Sequence, residues 1–191
     1  MRTELMAGQF LDVYEQTQKS YSVERSLKIA RYKSGKYSIE RPLHFGAALA
    51  SPSNLEEFYG IYSEYGLPLG EAFQLRDDLL GVFGDPSETG KPAGDDLREG
   101  KPTLPLIYLL ENGSNEERLL VRAAIEQNQD LPDDVFAQIL AAVQSSGALD
   151  YTQAAAKREA DLALKCLGSF PANEATAALH ALCEYSLARQ T

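Results

Sequence analysis

The sequence predicts an all-α fold, and two observations support this fold class. Apolar residues recur at steps of three and four positions in nearly every segment, which is the spacing of one face of an α-helix. No stretch alternates Val, Ile or Thr with polar residues for long enough to indicate a half-buried β-strand. A chain of 191 residues, 44% of them apolar, is long enough to bury one core, so we expect a single domain over residues 1–191.

The helix boundaries follow from the apolar pattern and from the residues that start and stop helices. We expect helices at about residues 3–19, 22–32, 38–50, 53–83, 103–110, 114–127, 133–146, 149–168 and 173–189. After the second helix, Gly35 suits a C-terminal cap. Ser38 would cap the third helix, with Pro42 in its first turn, where a missing amide donor costs little. Pro52 then ends that helix.

Two of the later helices carry a start signal of their own. Ser53 and Glu56 form a capping box at the beginning of the longest helix, and Ser114 and Glu117 have the same spacing. Pro68 lies inside the longest helix, and we expect a kink there.

The charge and hydropathy of the chain exclude two classes of partner. The chain has 28 Asp and Glu against 18 Lys and Arg, a formal charge of −10, which disfavours nucleic acid and anionic membrane as main partners. Its longest uninterrupted apolar run, residues 104–110, contains Pro105 and is far shorter than the ~20 residues of a membrane helix, so we expect no stable membrane insertion. The first residues lack the apolar core of a signal peptide, and we expect a cytoplasmic protein.

Cysteine and histidine are too few to form a metal site of their own. Cys166 and Cys183 have no second Cys or His at metal-ligand spacing, and we expect both to be buried free thiols. His44 and His180 are the only imidazoles, and we expect them to be packing or surface residues. Carboxylates remain as metal ligands, and they favour a hard cation such as Mg²⁺.

The least ordinary feature is the acidic pair Asp77 and Asp78 inside an otherwise apolar helix. Adjacent carboxylates repel each other, and burying them costs several kcal/mol per ion unless a cation or hydrogen-bond donors compensate. Gln74 precedes the pair by three and four positions and therefore shares its helix face. Asp85 follows about two turns later and could line the same face. A divalent cation would compensate these charges.

Residues 84–102 are predicted to form an active-site loop, because the composition changes there to Gly, Pro and charged residues. Lys91 and Lys101 lie in this loop with aspartates between them. Lysines and a carboxylate-bound cation together suit the oxygens of a diphosphate. The alternative for the acidic pair and the loop is a solvated helix face followed by a linker.

These residues resemble the second aspartate-rich region of the trans-type polyprenyl diphosphate synthases. The stretch is Phe73-Gln74-x-x-Asp77-Asp78, followed by Gly90-Lys91, Asp96 and Gly100-Lys101-x-Thr103-Leu104-Pro105. Two upstream motifs also resemble the family, namely Gly8-Gln9-x-x-Asp12 and Lys33-Ser34-Gly35, the latter with Ser where the family has Thr. The resemblance covers about residues 5–105 in order and spacing, and it is closest to bacterial geranylgeranyl or longer-chain synthases.

The resemblance implies an antiparallel helical bundle of the isoprenoid-synthase type. It also implies a Mg²⁺-dependent prenyltransferase that condenses an allylic diphosphate with isopentenyl diphosphate and releases pyrophosphate. The implied product is a longer polyprenyl diphosphate, such as geranylgeranyl diphosphate. The resemblance also implies that the native state is a homodimer, as in the family.

The resemblance further implies roles for individual residues. Groups that bind the allylic diphosphate would be Lys33, Lys91 and Lys101, and metal-binding carboxylates would be Asp77, Asp78 and Asp96. Ser34 and Gln74 would direct dipoles at a developing carbocation, a task suited to neutral groups because a full negative charge would trap the cation. Gln9 and Asp12 would belong to the substrate-binding residues, and the catalytic set would be Lys33, Ser34, Gln74 and Asp77.

Two features depart from the family pattern. The second motif of the family usually ends in a third aspartate where this sequence has Gly81, so Asp77 becomes the chief expected metal ligand. The first aspartate-rich motif, which the family carries upstream of the Gly-Gln helix, is absent, and we expect this chain to be the C-terminal part of a longer protein. A missing N-terminal half is then an expected partner. Because one wall cannot close a water-excluding site, we expect the 191 residues alone to be inactive.

Two other functions stay open at this point. A terpene cyclase would use the same fold and similar Mg²⁺ chemistry, but the lysine-rich loop and the Lys-Ser-Gly turn fit a synthase with two diphosphate substrates better. A noncatalytic helical partner subunit would keep the bundle and lose metal ligands, and Gly81 favours this alternative.

Overall fold

The computed structural model describes residues 1–18, 21–50, 53–84, 94–98, 101–127 and 131–189. These residues form helices and no strand, which confirms the all-α fold class. The helical segments are α1 (Arg2–Gln18), α2 (Val23–Ala30), the π-helical segment π1 (Arg31–Glu40), α3 (Arg41–Ala50), α4 (Leu55–Phe83), α5 (Asp95–Arg98), α6 (Leu104–Asn112), α7 (Asn115–Gln127), α8 (Asp133–Ser145), α9 (Ala148–Leu167) and α10 (Glu174–Ala188). None of these helices is long and apolar enough to cross a lipid bilayer.

One helix signal acts as predicted from the sequence, and the structure adds a further cap. The Ser114 N–H donates to Glu117 Oε2 at 2.7 Å and the Glu117 N–H donates to Ser114 Oγ at 3.2 Å, which confirms the capping box before α7. Asn173 caps α10, because its Oδ1 accepts the Thr176 N–H at 2.9 Å. Pro68 lies inside α4, and the helix continues through it.

Contacts divide the chain into two compact units. The first unit holds Met1–Leu11, Ile29–Gln74 and Ala155–Arg189, and the second unit holds the described residues of Asp12–Lys28 and Leu75–Ala154. Each unit has a core of its own. That the whole chain is a single domain stays a prediction.

The core of the first unit packs α4 against α9 and α10. Its buried residues are Tyr65, Leu69, Ala163, Leu167 and Cys183. The buried Tyr65 hydroxyl donates to the Leu179 carbonyl at 2.9 Å, so this polar group is satisfied inside the core. Cys183 is a buried free thiol as predicted, whereas the free thiol of Cys166 is half-buried.

The core of the second unit anchors the short helix α5. Leu97 of α5 is completely buried in this core, together with Leu106, Leu109, Val121, Ile125, Leu131, Ile139, Val143 and Ala148. Beside it, the Arg98 guanidinium donates to the Leu131 carbonyl at 3.1 Å and to Asp133 Oδ1 at 3.0 Å. A helix of four residues has little stability of its own, so these contacts hold α5 in place.

The segment π1 replaces the helix break that the sequence predicts near Gly35. Because α2, π1 and α3 follow one another without interruption, the predicted caps at Gly35 and Ser38 are wrong. At the junction with α3, the Arg41 N–H donates to the Lys36 carbonyl, five residues earlier. Pro42 lies in the first turn of α3 as predicted.

Glycines bring π1 into close contact with α1 and α4. A Cβ atom built on Gly70 of α4 would lie 3.0 Å from the nitrogen and 3.2 Å from the carbonyl carbon of Gly35. A Cβ built on Gly8 of α1 would lie 2.7 Å from the nitrogen of Lys33. These neighbours are backbone atoms that cannot rotate away, so only glycine permits these approaches. The crossing of π1 and α4 therefore requires Gly70, whereas a Cβ built on Gly35 would meet only ordinary contacts, the nearest being the Leu67 carbonyl oxygen at 3.4 Å.

An ion pair between α1 and α3 links the stability of the first unit to pH. Both carboxylate oxygens of Glu4 accept hydrogen bonds from Arg41, with Oε2 2.8 Å from Nε. The Arg41 guanidinium lowers the pKa of Glu4 from 4.5 to about 2. Since the folded chain holds this carboxylate ionised more readily than the unfolded chain, the pair stabilises the fold above pH 4.5, and this contribution is lost as the pH falls toward 2.

We expect Glu4→Gln to lower the free energy of unfolding at neutral pH and to have little effect near pH 2. Urea unfolding of the variant and of the unmodified chain at several pH values measures the difference. A difference that stays constant over this pH range would contradict the prediction.

Candidate functional site

Helix α4 carries the acidic pair and the glutamine that the sequence singled out. Gln74, Asp77 and Asp78 are half-buried residues on consecutive turns of this helix. The two units divide α4 after Gln74, so Gln74 is described with the first unit and the aspartates with the second.

In the first unit, Ser34 and Gln74 hold each other through a side-chain hydrogen bond. Ser34 Oγ donates to Gln74 Oε1. One turn earlier on both helices, Arg31 Nε donates to Glu71 Oε1. Both pairs join residues forty positions apart, so the two segments keep one register over this turn, beside the place where Gly70 of α4 lies against Gly35 of π1. The crossing therefore orients the amide of Gln74, one of the predicted catalytic groups.

The pair of Arg31 and Glu71 belongs to a charged cluster that we did not predict from the sequence, in which Glu71 is buried, Glu159 is half-buried and Arg31 is exposed. Glu71 is only 4% exposed, and its hydrogen bond and charge raise the pKa of Arg31. Burial, followed by the negative charge of Glu71, raises the pKa of Glu159 on α9. The available signal was the position of Glu71, three residues before Gln74 and hence on the same helix face.

The other motif residues of the first unit lie on π1 and α1. Lys33 is half-buried in π1, with its backbone nitrogen against Gly8. Gln9 is the next residue on α1, and its side chain is exposed. Asp12, one turn further on, is half-buried and belongs to the second unit.

In the second unit, Asp78 binds the start of α6. Its Oδ2 accepts the N–H of Leu104, the first residue of α6, at 2.9 Å. A carboxylate is stabilised at a helix N-terminus by the unpaired N–H groups and by the helix dipole. Asp78 therefore has a structural role beside the metal-binding role that the resemblance implies.

Helix α5 places Asp96 beside Lys101. Lys101 Nζ lies 2.5 Å from Asp96 Oδ1, and the Lys101 N–H donates to the Asp96 carbonyl at 2.8 Å. The Asp96 side chain is 17% exposed and that of Lys101 is 45% exposed, so the pair presents its lysine to solvent. Asp96 also lies against Gly81 of α4.

The donor chemistry on α4 suits Mg²⁺. This ion is bound in proteins by one or two carboxylates together with waters and substrate phosphates, and Asp77 and Asp78 supply such carboxylates. In the part of the chain that the structure describes, no three His, Cys, Asp or Glu side chains are grouped closely enough to hold a metal ion. Lys91, Asp85 and the predicted helix end at Pro52 lie outside the described residues.

A second polar cluster, around His44, has the composition of a hydrolase triad but not its chemistry. Arg41 Nη1 lies 2.9 Å from His44 Nδ1, and because arginine only donates, Nδ1 accepts and Nε2 carries the proton. Nε2 lies 3.0 Å from the Tyr59 carbonyl and 3.0 Å from Ser63 Oγ, which donates to Glu40 Oε1 at 2.6 Å. A protonated Nε2 cannot take a proton from Ser63. This cluster is a packing network, which agrees with the role expected for His44.

Comparison with known proteins connects the motifs to one family. The protein-family model described as "Polyprenyl synthetase" matches residues 1–143. The octaprenyl diphosphate synthase of Escherichia coli (strain K12) is 42% identical over 116 residues, which are 61% of this chain and 35% of that protein. The all-trans-nonaprenyl-diphosphate synthase (geranyl-diphosphate specific) of Rhodobacter capsulatus is 34% identical over 186 residues, which are 97% of this chain and 55% of that protein.

A solved structure extends the similarity to the fold. The crystal structure of geranylgeranyl pyrophosphate synthase from Corynebacterium glutamicum, complexed with isoprenyl diphosphate and magnesium, superposes with a TM-score of 0.90 at 38% identity. The superposition covers 99% of this chain and 53% of that chain. This chain thus spans about half of that protein, and between 35% and 55% of the two enzymes above.

Proposed function

Because the chain belongs to the polyprenyl synthetase family, we propose that it supplies one wall of the active site of a polyprenyl diphosphate synthase. This enzyme condenses an allylic diphosphate with isopentenyl diphosphate and releases pyrophosphate. The observation that carries the proposal is the sequence of polar groups along α4, where Gln74, held by Ser34, is followed by Asp77 and Asp78. Such a set of neutral dipoles and carboxylates suits a carbocation beside a metal-bound diphosphate.

In this proposal the lysines bind the leaving diphosphate. Lys33, Lys91 and Lys101 contribute positive charge to oxygens that become more negative as the allylic C–O bond breaks. Gln9 and Asp12 belong to the substrate-binding residues. The solvent-facing ammonium of Lys101, paired with Asp96, is compatible with this role.

Asp77 is the chief proposed ligand of Mg²⁺, with Asp78 and Asp96 as further carboxylates. When bound, the ion supplies positive charge that stabilises the departing diphosphate. Asp78 keeps one oxygen on Leu104, which restrains its carboxylate relative to α6.

The neutral pair of Ser34 and Gln74 acts on the allylic carbocation. Their dipoles stabilise the positive charge without the full negative charge that would trap it. The double bond of isopentenyl diphosphate attacks the cation, a C–C bond forms, and loss of a proton to released pyrophosphate restores an alkene. Apolar walls around the reacting carbons, including Phe73, exclude water from the cation.

We propose geranylgeranyl diphosphate as the product and a homodimer as the native state. The named products of the relatives include octaprenyl, nonaprenyl and geranylgeranyl diphosphates, so product length needs direct analysis. The exposed apolar residues Phe45 and Leu49 of α3 and Met6 and Phe10 of α1, each more than 60% exposed, support a contact with another polypeptide. Sedimentation at micromolar concentration tests the dimer.

The second candidate is a noncatalytic partner subunit, which the glycine at position 81 favours. One experiment separates the two functions. The part of the Corynebacterium glutamicum synthase that lies outside the match is joined to residues 1–191, and incorporation of labelled isopentenyl diphosphate is measured with Mg²⁺.

We expect the joined protein to catalyse prenyl transfer and the 191-residue chain alone to show none, because one wall does not close the site. A joined protein with full helix content and no activity would favour the noncatalytic partner. Robust prenyl transfer by the 191-residue chain alone would contradict the proposal that this chain supplies only one wall of the active site.

A further inference from the structure

The space above Gly81 on α4 is filled by a side chain from a different helix. A Cβ atom built on Gly81 would lie 2.6 Å from Cγ and 3.0 Å from Cβ of Asp96, and closer still to Asp96 Oδ2. Real Cβ atoms do not approach heavy atoms this closely, so the carboxylate of Asp96 takes the room that any side chain at position 81 would need. Gly60 of the same helix has no such neighbour within 4 Å.

The position of Gly81 on α4 places this contact on the same helix face as the proposed metal-binding aspartates. Residue 81 follows Asp77 by four positions and Asp78 by three, so it shares their helix face. A carboxylate above Gly81 is thus a further negative group on the acidic face. The same carboxylate binds Lys101 Nζ at 2.5 Å.

The contacts of α5 with the core fix the position of Asp96. Leu97, next to Asp96, is completely buried, and Arg98 is bound to Leu131 and Asp133. Asp96 therefore cannot retreat far from α4 without disturbing these contacts. A side chain at position 81 would instead displace the carboxylate of Asp96, and with it the partner of Lys101.

We propose that Gly81 is a positioning residue: its missing side chain lets the Asp96 carboxylate lie on the acidic face of α4, where it holds the Lys101 ammonium for a diphosphate. On this proposal, the glycine at position 81 is needed to form the acidic face, even though the family usually has an aspartate there. The role of Lys101 rests on the proposed function, whereas the steric pairing of Gly81 with Asp96 rests on the structure alone.

Urea unfolding of the 191-residue chain tests the steric pairing. At the control position, Gly60→Ala should raise the folding equilibrium constant about two- to fivefold, the usual gain for a helix-interior glycine. Gly81→Ala should lack this gain or reverse it, because the new Cβ displaces Asp96. In an Asp96→Gly background, Gly81→Ala should recover the gain. Equal effects of Gly81→Ala in the two backgrounds would overturn the pairing.

Calorimetry with pyrophosphate and Mg²⁺ tests the role of Lys101. Loss of one charge-assisted contact corresponds to about ten- to hundredfold in affinity. We expect Lys101→Ala to weaken binding by such a factor, Gly81→Ala to weaken it in the same direction, and Gly81→Ala to add nothing once Lys101 is alanine. Full affinity of Gly81→Ala would overturn the positioning role. Absence of binding by the unmodified chain would overturn the function assigned to this wall, while the unfolding experiment would still decide the pairing.

Discussion

Replacing Asp77 with alanine is expected to weaken the Mg²⁺-dependent binding of pyrophosphate about ten- to hundredfold. In the joined protein described above, the same change should lower turnover by orders of magnitude. The reason is that Asp77 supplies a half-buried carboxylate on α4, while its neighbour Asp78 already uses one oxygen to bind the N–H of Leu104. Calorimetry measures the first effect and prenyl transfer at saturating Mg²⁺ the second.

Variants of two other aspartates serve as controls for this prediction. Asp161→Ala removes the same charge from an exposed ion pair with Lys157, and it should leave binding and stability nearly unchanged. Asp78→Ala should lower stability as well as binding, since the start of α6 loses its acceptor, whereas Asp77→Ala should leave helix content intact. Wild-type binding and turnover in Asp77→Ala would exclude Asp77 as the chief metal ligand.

Replacing Gly70 with alanine is expected to lower the free energy of unfolding by about 1–3 kcal/mol. The new Cβ would lie 3.0 Å from the nitrogen of Gly35 and 3.2 Å from its carbonyl carbon, and neither backbone atom can rotate away. The crossing of π1 and α4 must then open or shift. Urea unfolding measures the loss, and Gly60→Ala in the same helix, where the new Cβ meets nothing within 4 Å, is the matched control.

The same substitution should also disturb the candidate site. The hydrogen bond from Ser34 to Gln74 lies beside the point where Gly70 meets the backbone of Gly35, so a shifted crossing should break or lengthen that hydrogen bond. The joined protein carrying Gly70→Ala should therefore lose turnover even at temperatures where it stays folded. If Gly70→Ala were as stable and as active as Gly60→Ala, the close crossing would not exist in solution.

Much of the fold was accessible from the sequence because it depends on residues within one or two turns of each other. The capping box of Ser114 and Glu117 and the cap at Asn173 are contacts between residues three positions apart. The acidic pair and Gln74 could be assigned to one helix face for the same reason, since helical periodicity alone places them there. The family could also be recognised, because its motifs are ordered along the chain.

The predictions that were wrong concern a residue whose structure depends on contacts with distant parts of the chain. Gly35 is a suitable helix cap by its residue type. In the structure the same glycine lies inside a continuous helical segment, and Gly70 of α4 lies against its backbone. A residue's neighbours in sequence cannot reveal such a contact.

By itself, the sequence determined the helical class, most helix limits and the polar groups of α4. Only the tertiary structure decided how those groups are held, with Ser34 on Gln74 forty positions away, Asp78 on the start of α6, and Asp96 above Gly81. The physical reason is that helix formation depends on the local balance of hydrogen bonding and periodic burial. The approach of two helices depends instead on which side chains are absent at their crossing point, and that is defined only when both helices are in place.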